Sequence, residues 1–161
     1  MPIQTGDPIP EVVLKIVRDG GVHAIDTPTL FGGKRVVLFA VPGAFTPTCS
    51  QKHLPGFVER FAEFRRRGVE VACVAVNDPF VMQAWAEAEQ VPEGLLMLSD
   101  GNADFARALG LEMDASGYGM GVRSKRFALY AEDGVVRELL VEAPGEFKVS
   151  DADTMLAKLP E

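Results

Sequence analysis

Arg35-Val36-Val37-Leu38-Phe39-Ala40-Val41 is unbroken apolar sequence after its first residue, and Pro42-Gly43 closes it. A run this short, rich in β-branched residues and stopped by proline and glycine, predicts a strand. Because it does not alternate with polar residues, it is expected to be buried on both faces, as in a parallel sheet. The next periodic segment predicts a helix from about Cys49 to Arg67. Leu54, Phe57, Val58, Phe61 and Phe64 fall on one face of a 3.6-residue period. Pro55 is expected to kink that helix about one turn after its start. Arg65-Arg66-Arg67 suits the negative end of the helix dipole as a solvated end, and Gly68 supplies the stop.

The same alternation continues. Val69 to Val76 predicts a second buried strand, and Pro79–Gln90 a helix with Val81, Ala84, Trp85 and Ala88 on one face. Leu95 to Leu98 reads as a third strand, and Asn102 to Leu109 as a short helix closed by Gly110. Phe127–Ala131 and Val135–Val141 flank Glu132-Asp133-Gly134, a strong hairpin signal. Ser150-x-x-Asp153 reads as the capping box of a last helix that buries Ala152, Met155, Leu156 and Leu159. Crossover helices between strands imply a parallel core, and the hairpin adds an antiparallel pair. The expected class is α/β, a mixed central sheet with helices on both faces. No linker or repeat interrupts residues 1–161, which are read as a single domain.

Composition narrows the function. The 161 residues are 47% hydrophobic and 24% charged, ordinary values for a globular chain. The 16 Lys and Arg against 23 Asp and Glu give a net charge of −7, which disfavours nucleic acid or an anionic membrane as partner. Neither a basic leader followed by an apolar run nor a bilayer-length apolar segment is visible, so a soluble cytoplasmic protein is expected. Two cysteines, Cys49 and Cys73, are too few for a disulfide-stapled scaffold.

Cys49 stands where the first strand hands over to its helix. A cysteine in a helix's first turn faces unpaired backbone N–H groups and the positive dipole end, and both favour thiolate. Pro42 and Pro47 stiffen the loop before it. Thr46, three residues upstream, can hydrogen-bond the sulfur or a ligand. Placement alone leaves a reactive cysteine and an inert buried one equally open. His53 shares a helix face with Cys49, but two cysteines and two histidines in the whole chain make a poor zinc site, and no metal is expected. A satisfied structural histidine at the edge of the site is the plainer reading. His23, in a glycine-rich turn, is given no chemical role.

Pro42-Gly43-Ala44-Phe45-Thr46-Pro47-Thr48-Cys49-Ser50, followed by His53-Leu54-Pro55-Gly56-Phe57, resembles the active-site region of the peroxiredoxins. It is most similar to the type II, or peroxiredoxin-5-like, branch. The resemblance continues through Val76-Asn77-Asp78-Pro79-Phe80-Val81, Trp85, Arg123-Ser124-Lys125-Arg126-Phe127 and Asp133-Gly134-Val135, and covers nearly the whole chain. It implies a thioredoxin-like fold and a peroxidase in which Cys49 is the peroxidatic cysteine, Pro42 shields the sulfur and Thr46 positions the peroxide. Arg126 matches the family's distant arginine, with Arg123 as the nearby competitor. Homodimers through the active-site face are also implied, with Ser116 to Gly121, Phe45 and Phe80 as contact points.

Cys73 sits inside Glu70-Val71-Ala72-Cys73-Val74-Ala75-Val76 and is expected to be an inert core thiol. Two-cysteine relatives carry a resolving cysteine before the last helix. Here that stretch reads Glu142-Ala143-Pro144-Gly145-Glu146-Phe147-Lys148-Val149-Ser150 and has none. The resemblance therefore implies a one-cysteine cycle with hydroperoxide as substrate. Glutathione, and glutaredoxin with it, would serve as external reductant and not as bound cofactor. A dithiol oxidoreductase is disfavoured because Ser50-Gln51-Lys52 follows Cys49 without a second cysteine. A non-enzymatic peroxide sensor or holdase-like protein is the competing reading.

Overall fold

The structure, a computed structural model, is described for residues 2–160. β1 (Val13–Arg18) and β2 (Gly21–Asp26) form a hairpin, followed by α1 (Thr27–Phe31). Next come β3 (Arg35–Val41), α2 (Leu54–Arg66), β4 (Glu70–Ala75), α3 (Pro79–Ala88), β5 (Leu96–Ser99) and α4 (Asp104–Leu109). A two-stranded ribbon of β6 (Glu112–Asp114) and β7 (Val122–Ser124) precedes the hairpin of β8 (Phe127–Glu132) and β9 (Val135–Val141). α5 (Ala152–Lys158) follows.

The main sheet runs in the order β2-β1-β5-β4-β3-β8-β9. β3, β4 and β5 are parallel, while β8 joins β3 and β1 joins β5 in antiparallel pairing. This is the expected mixed α/β sheet with helices on both faces. Alternate residues of β3 divide between two cores. Val37, Phe39 and Val41 pack with Leu54, Phe57, Phe64, Trp85 and Met155. Val36, Leu38 and Ala40 pack on the other face with Phe31, Phe105 and Leu109. The unbroken apolar run therefore has a physical cause: neither face of β3 meets water.

The antiparallel register places Ala40 opposite Phe127. The residue before Phe127 thus arrives beside the loop that leaves β3. Two segments separated by most of the chain meet at one end of the sheet.

Several sequence expectations need correction. The N-terminal hairpin was missed, although Asp19-Gly20 carries the same signal as Asp133-Gly134 and both residues adopt positive φ (51° and 78°). His23 lies on β2 opposite Ile16, not in a turn. Residues Cys49–His53 form a π turn before α2, with the Leu54 N–H bonded to the Cys49 carbonyl. Pro55 therefore does not kink a helix already under way. It lacks an N–H and sits at the start of α2, so the irregularity falls on the turn before it. The last helix is capped by Asp151, whose carboxylate accepts from the Thr154 N–H, and not by Ser150. α4 opens at Asp104, where the Asp100 carboxylate accepts from the Phe105 and Ala106 N–H groups.

Phe57 joins α2 to the sheet. Its ring stacks on Phe39 at 4.1 Å between centroids and on Phe64 at 5.6 Å. Phe57→Ala should cost about 3–5 kcal/mol of stability in urea unfolding. In the monomer, Phe80→Ala, at a side chain 68% exposed, should stay within about 0.5 kcal/mol.

Candidate active site

The loop after β3 is built to hold its shape. The Ala44 N–H donates to Asn77 Oδ1 at 2.9 Å, tying the loop to the segment that follows β4. The Thr46 hydroxyl donates to the Gly43 carbonyl at 2.7 Å, and the Ser50 N–H donates to the Thr46 carbonyl at 2.9 Å. A Cβ on Gly43 would lie 3.0 Å from Arg123 Nη1, 3.1 Å from Met120 Cε and 3.2 Å from Thr46 Cγ2. A side chain there would crowd all three, and each would have to give by a few tenths of an ångström. The helical run starts at Pro47, so Cys49 is its third residue. Trp85 Nε1 donates to Ser50 Oγ at 2.9 Å and anchors this start to α3.

Arg126, carried in by the β3–β8 register, reaches this helix start. Its Nη2 donates to Cys49 Sγ at 3.1 Å, and its Nη1 meets His53 Nδ1 at 2.9 Å. A guanidinium can only donate, so Nδ1 is the accepting nitrogen. Nε2 therefore carries the proton, which it donates to the Ser150 carbonyl at 3.0 Å. Burial, and then the adjacent Arg126 charge, push the His53 pKa down to about 3. The ring stays neutral at physiological pH, as acceptance from an arginine requires. Phe147 closes the arrangement, 5.0 Å from the His53 ring and 5.8 Å from the Arg126 guanidinium carbon.

The other residues singled out in the sequence lie as follows. Pro42, Thr46 and Arg126 line a cavity of about 600 Å³, whose walls also include Met113, Tyr118 and Met120. Cys49 is fully buried, and Arg126 is the wall residue that touches its sulfur. Arg123 braces the walls of the site: its Nε donates to the Met120 carbonyl at 2.8 Å and its Nη1 to the Pro42 carbonyl at 3.3 Å. Thr46 spends its hydroxyl proton on Gly43, so its oxygen is left to accept.

Cys73 is buried on β4 between Phe39 and Met97 of the neighbouring strands. Burial raises its thiol pKa well above the ordinary value, and the nearby Cys49 adds to the effect against a smaller opposing pull from Arg126. Among the described residues, no group of three or more His, Cys, Asp or Glu could hold a metal ion. A second groove, of about 620 Å³ between β1, α3 and β5, shares no wall residue with the first and contains neither cysteine nor histidine. Sequence reasoning gives Ser150 two readings, a helix cap and the place of an absent cysteine, and assigns Glu142 none. The available signal was a carboxylate directly after the Leu139-Leu140-Val141 run, eight residues before a serine.

His53 titrates in the unfolded chain near 6.5 and in the folded one near 3, so the unfolded state binds the extra proton between those values. Stability should therefore fall as pH drops below about 6.5 and stop falling on this account below about 3. His53→Gln should show a shallower dependence over that window, by up to about one proton, in urea midpoints measured at several pH values.

Comparison with known proteins identifies the family of the chain. The family model described as Redoxin matches residues 4–156. The chain is 50% identical over 163 residues to peroxiredoxin-2E-2, chloroplastic, of Oryza sativa subsp. japonica, covering 98% of this chain and 72% of that protein. The crystal structure of reduced Prx3 from Vibrio vulnificus in complex with hydrogen peroxide superposes with a TM-score of 0.92 at 49% identity, over 96% of this chain and 98% of that one. A Burkholderia cenocepacia structure, provisionally described as a thioredoxin reductase, gives a TM-score of 0.96 at 46% identity over the whole of both chains. That description does not suit the Cys49-Ser50-Gln51-Lys52 sequence, which lacks a dithiol pair. With a thioredoxin-like redoxin fold along nearly its whole length, the chain belongs to the peroxiredoxins, the thiol peroxidases.

Proposed function

We propose that Cys49 is the peroxidatic cysteine of a one-cysteine, glutathione-dependent peroxidase of the type II branch, acting on hydrogen peroxide and small organic hydroperoxides. The observation that carries this is the 3.1 Å contact between Arg126 Nη2 and Cys49 Sγ at the wall of the cavity. The guanidinium sets a fixed positive charge and a hydrogen-bond donor against the attacking sulfur.

The thiolate attacks one peroxide oxygen. The S–O bond forms as the O–O bond breaks, sulfur gives up two electrons, and the leaving oxygen takes a proton to become water or an alcohol. Negative charge grows on that leaving oxygen. Arg126 and the backbone donors of the helix start stabilise it without having to reorganise. Thr46 Oγ1, with its proton committed to Gly43, accepts from the peroxide O–H and orients it. Pro42 covers the sulfur from water.

The sulfenic acid then condenses with glutathione, releasing water and leaving a mixed disulfide. A second thiol, of glutaredoxin or glutathione, frees the Cys49 thiol. Support for an external reductant is the depth of Cys73, whose burial makes it a poor thiolate. The roughly 600 Å³ cavity, with apolar Met113 and Met120 on its walls, suits an alkyl tail, and its Lys125 stands among Asp114, Glu142 and Glu146. No bound cofactor enters this cycle. Two free cysteines suit a reducing compartment, and cytoplasmic residence is proposed. A homodimer is proposed through the face bearing Phe45, Phe80 and Tyr118, which are 54%, 68% and 85% exposed.

One equivalent of hydrogen peroxide followed by glutathione should add one glutathione to Cys49 by intact mass, with steady turnover once glutaredoxin is supplied. A loss of two hydrogens instead would mean a Cys49–Cys73 disulfide, and stoichiometric oxidation without turnover would favour a sensor. Cys73→Ala should keep turnover within about twofold of the parent, since its thiol is buried and protonated.

A further inference from the structure

The strand pair that delivers Arg126 also delivers Glu142, whose backbone N–H donates to the Arg126 carbonyl at 3.0 Å. Its side chain turns inward and is 6% exposed, rare for a carboxylate unless several donors meet it. Here they do. The N–H groups of Lys148, Val149 and Ser150 donate to it at 2.9, 2.8 and 2.8 Å, and the Ser150 hydroxyl donates at 2.7 Å. Burial alone would raise the Glu142 pKa, but these hydrogen bonds outweigh it and leave the carboxyl below its ordinary range. The carboxylate thus acts as a buried anion around which residues 143–149 are folded back.

That folding has two products at the site. It seats Phe147 against both His53 and Arg126. It also presents the Ser150 carbonyl to His53 Nε2. With Nε2 held as the protonated nitrogen, Nδ1 must accept, and Arg126 Nη1 is drawn to it. Nη2 is then left facing Sγ. The guanidinium is rigid and planar, so fixing one nitrogen fixes the direction of the other.

We propose that Glu142 is a positioning residue of the peroxidase: by folding residues 148–150 around its carboxylate, it sets the His53 tautomer and thereby aims Arg126 at Cys49. The inference rests on the peroxidase reading of the site only for its effect on rate. The tautomer is a property of the resting protein and can be read without peroxide.

The test is Glu142→Gln, which keeps the volume, removes the negative charge, and, with its oxygen where the donors converge on Oε2, turns an N–H₂ against the Lys148 N–H that also faces Oε1. Nitrogen NMR of the histidine rings should show one Nε2–H tautomer for His53 in the parent and a mixture in E142Q. The second-order rate of Cys49 oxidation by hydrogen peroxide, followed by the fluorescence of Trp85, should fall about tenfold. In an Arg126→Lys background, where no planar fork remains to be aimed, E142Q should cost less than twofold. An unchanged His53 spectrum, or a full tenfold loss retained in the R126K background, would overturn the proposal. If E142Q does not fold, Ser150→Ala removes one donor and leaves the carboxylate; it should shift the same ring signals partway, and unmoved signals count against the idea. A parent protein that consumes no peroxide would sink the peroxidase reading, while the His53 spectra would still decide the positioning chain.

Discussion

A single planar cation, the Arg126 guanidinium, touches both the sulfur of Cys49 and the ring of His53. Its position depends on the neighbours of that ring. An imidazole that took up a proton would repel the guanidinium and lose the lone pair that receives it. Burial prevents this by making the charged ring costly, and the arginine's own charge adds to the cost. The apolar packing of Phe39, Phe57 and Phe147 around His53 is therefore part of the electrostatics of the site. The aromatic cluster lowers the local dielectric, the histidine stays neutral, and the arginine keeps its geometry.

The helix start has a matching constraint. Cys49–His53 is wound more widely than the α-helix it leads into, and the wider turn places the cysteine and the histidine so that one guanidinium spans both. Pro55, which cannot donate, stands at the seam between the two windings. Trp85 and Asn77 hold the outer side of this segment, through Ser50 and Ala44. The cysteine is thus fixed from the sheet side by apolar contacts and from the loop side by hydrogen bonds.

Much of this was legible in the sequence where a local signal coincided with a local structure. The run from Arg35 to Val41, the face of α2 and the Asp133-Gly134 turn were read correctly because each is decided within a few residues. The misses have other causes. The β1–β2 hairpin was passed over despite its Asp19-Gly20 signal. The π turn has no sequence signature except the proline beyond it. Ser150 was read as a cap, but its hydroxyl is claimed by Glu142, a contact eight residues away that periodicity cannot register. The proximity of Arg126 to Cys49 came from family resemblance, since nothing local links residues 77 apart; the structure supplies the physical reason in the Ala40–Phe127 register.

That separation also bears on synthesis. Cys49 meets Arg126 across 77 residues, and His53 meets the Ser150 carbonyl across 97. Such contacts form only after β8 has zipped onto β3 and the chain beyond β9 has folded back. A ribosome-bound chain that has emerged only as far as β5 possesses Cys49 and His53 but not the guanidinium that touches them both. The contact between guanidinium and sulfur is thereby withheld until β8 and the segment beyond β9 are in place, so the sequence around Cys49 does not build the site by itself.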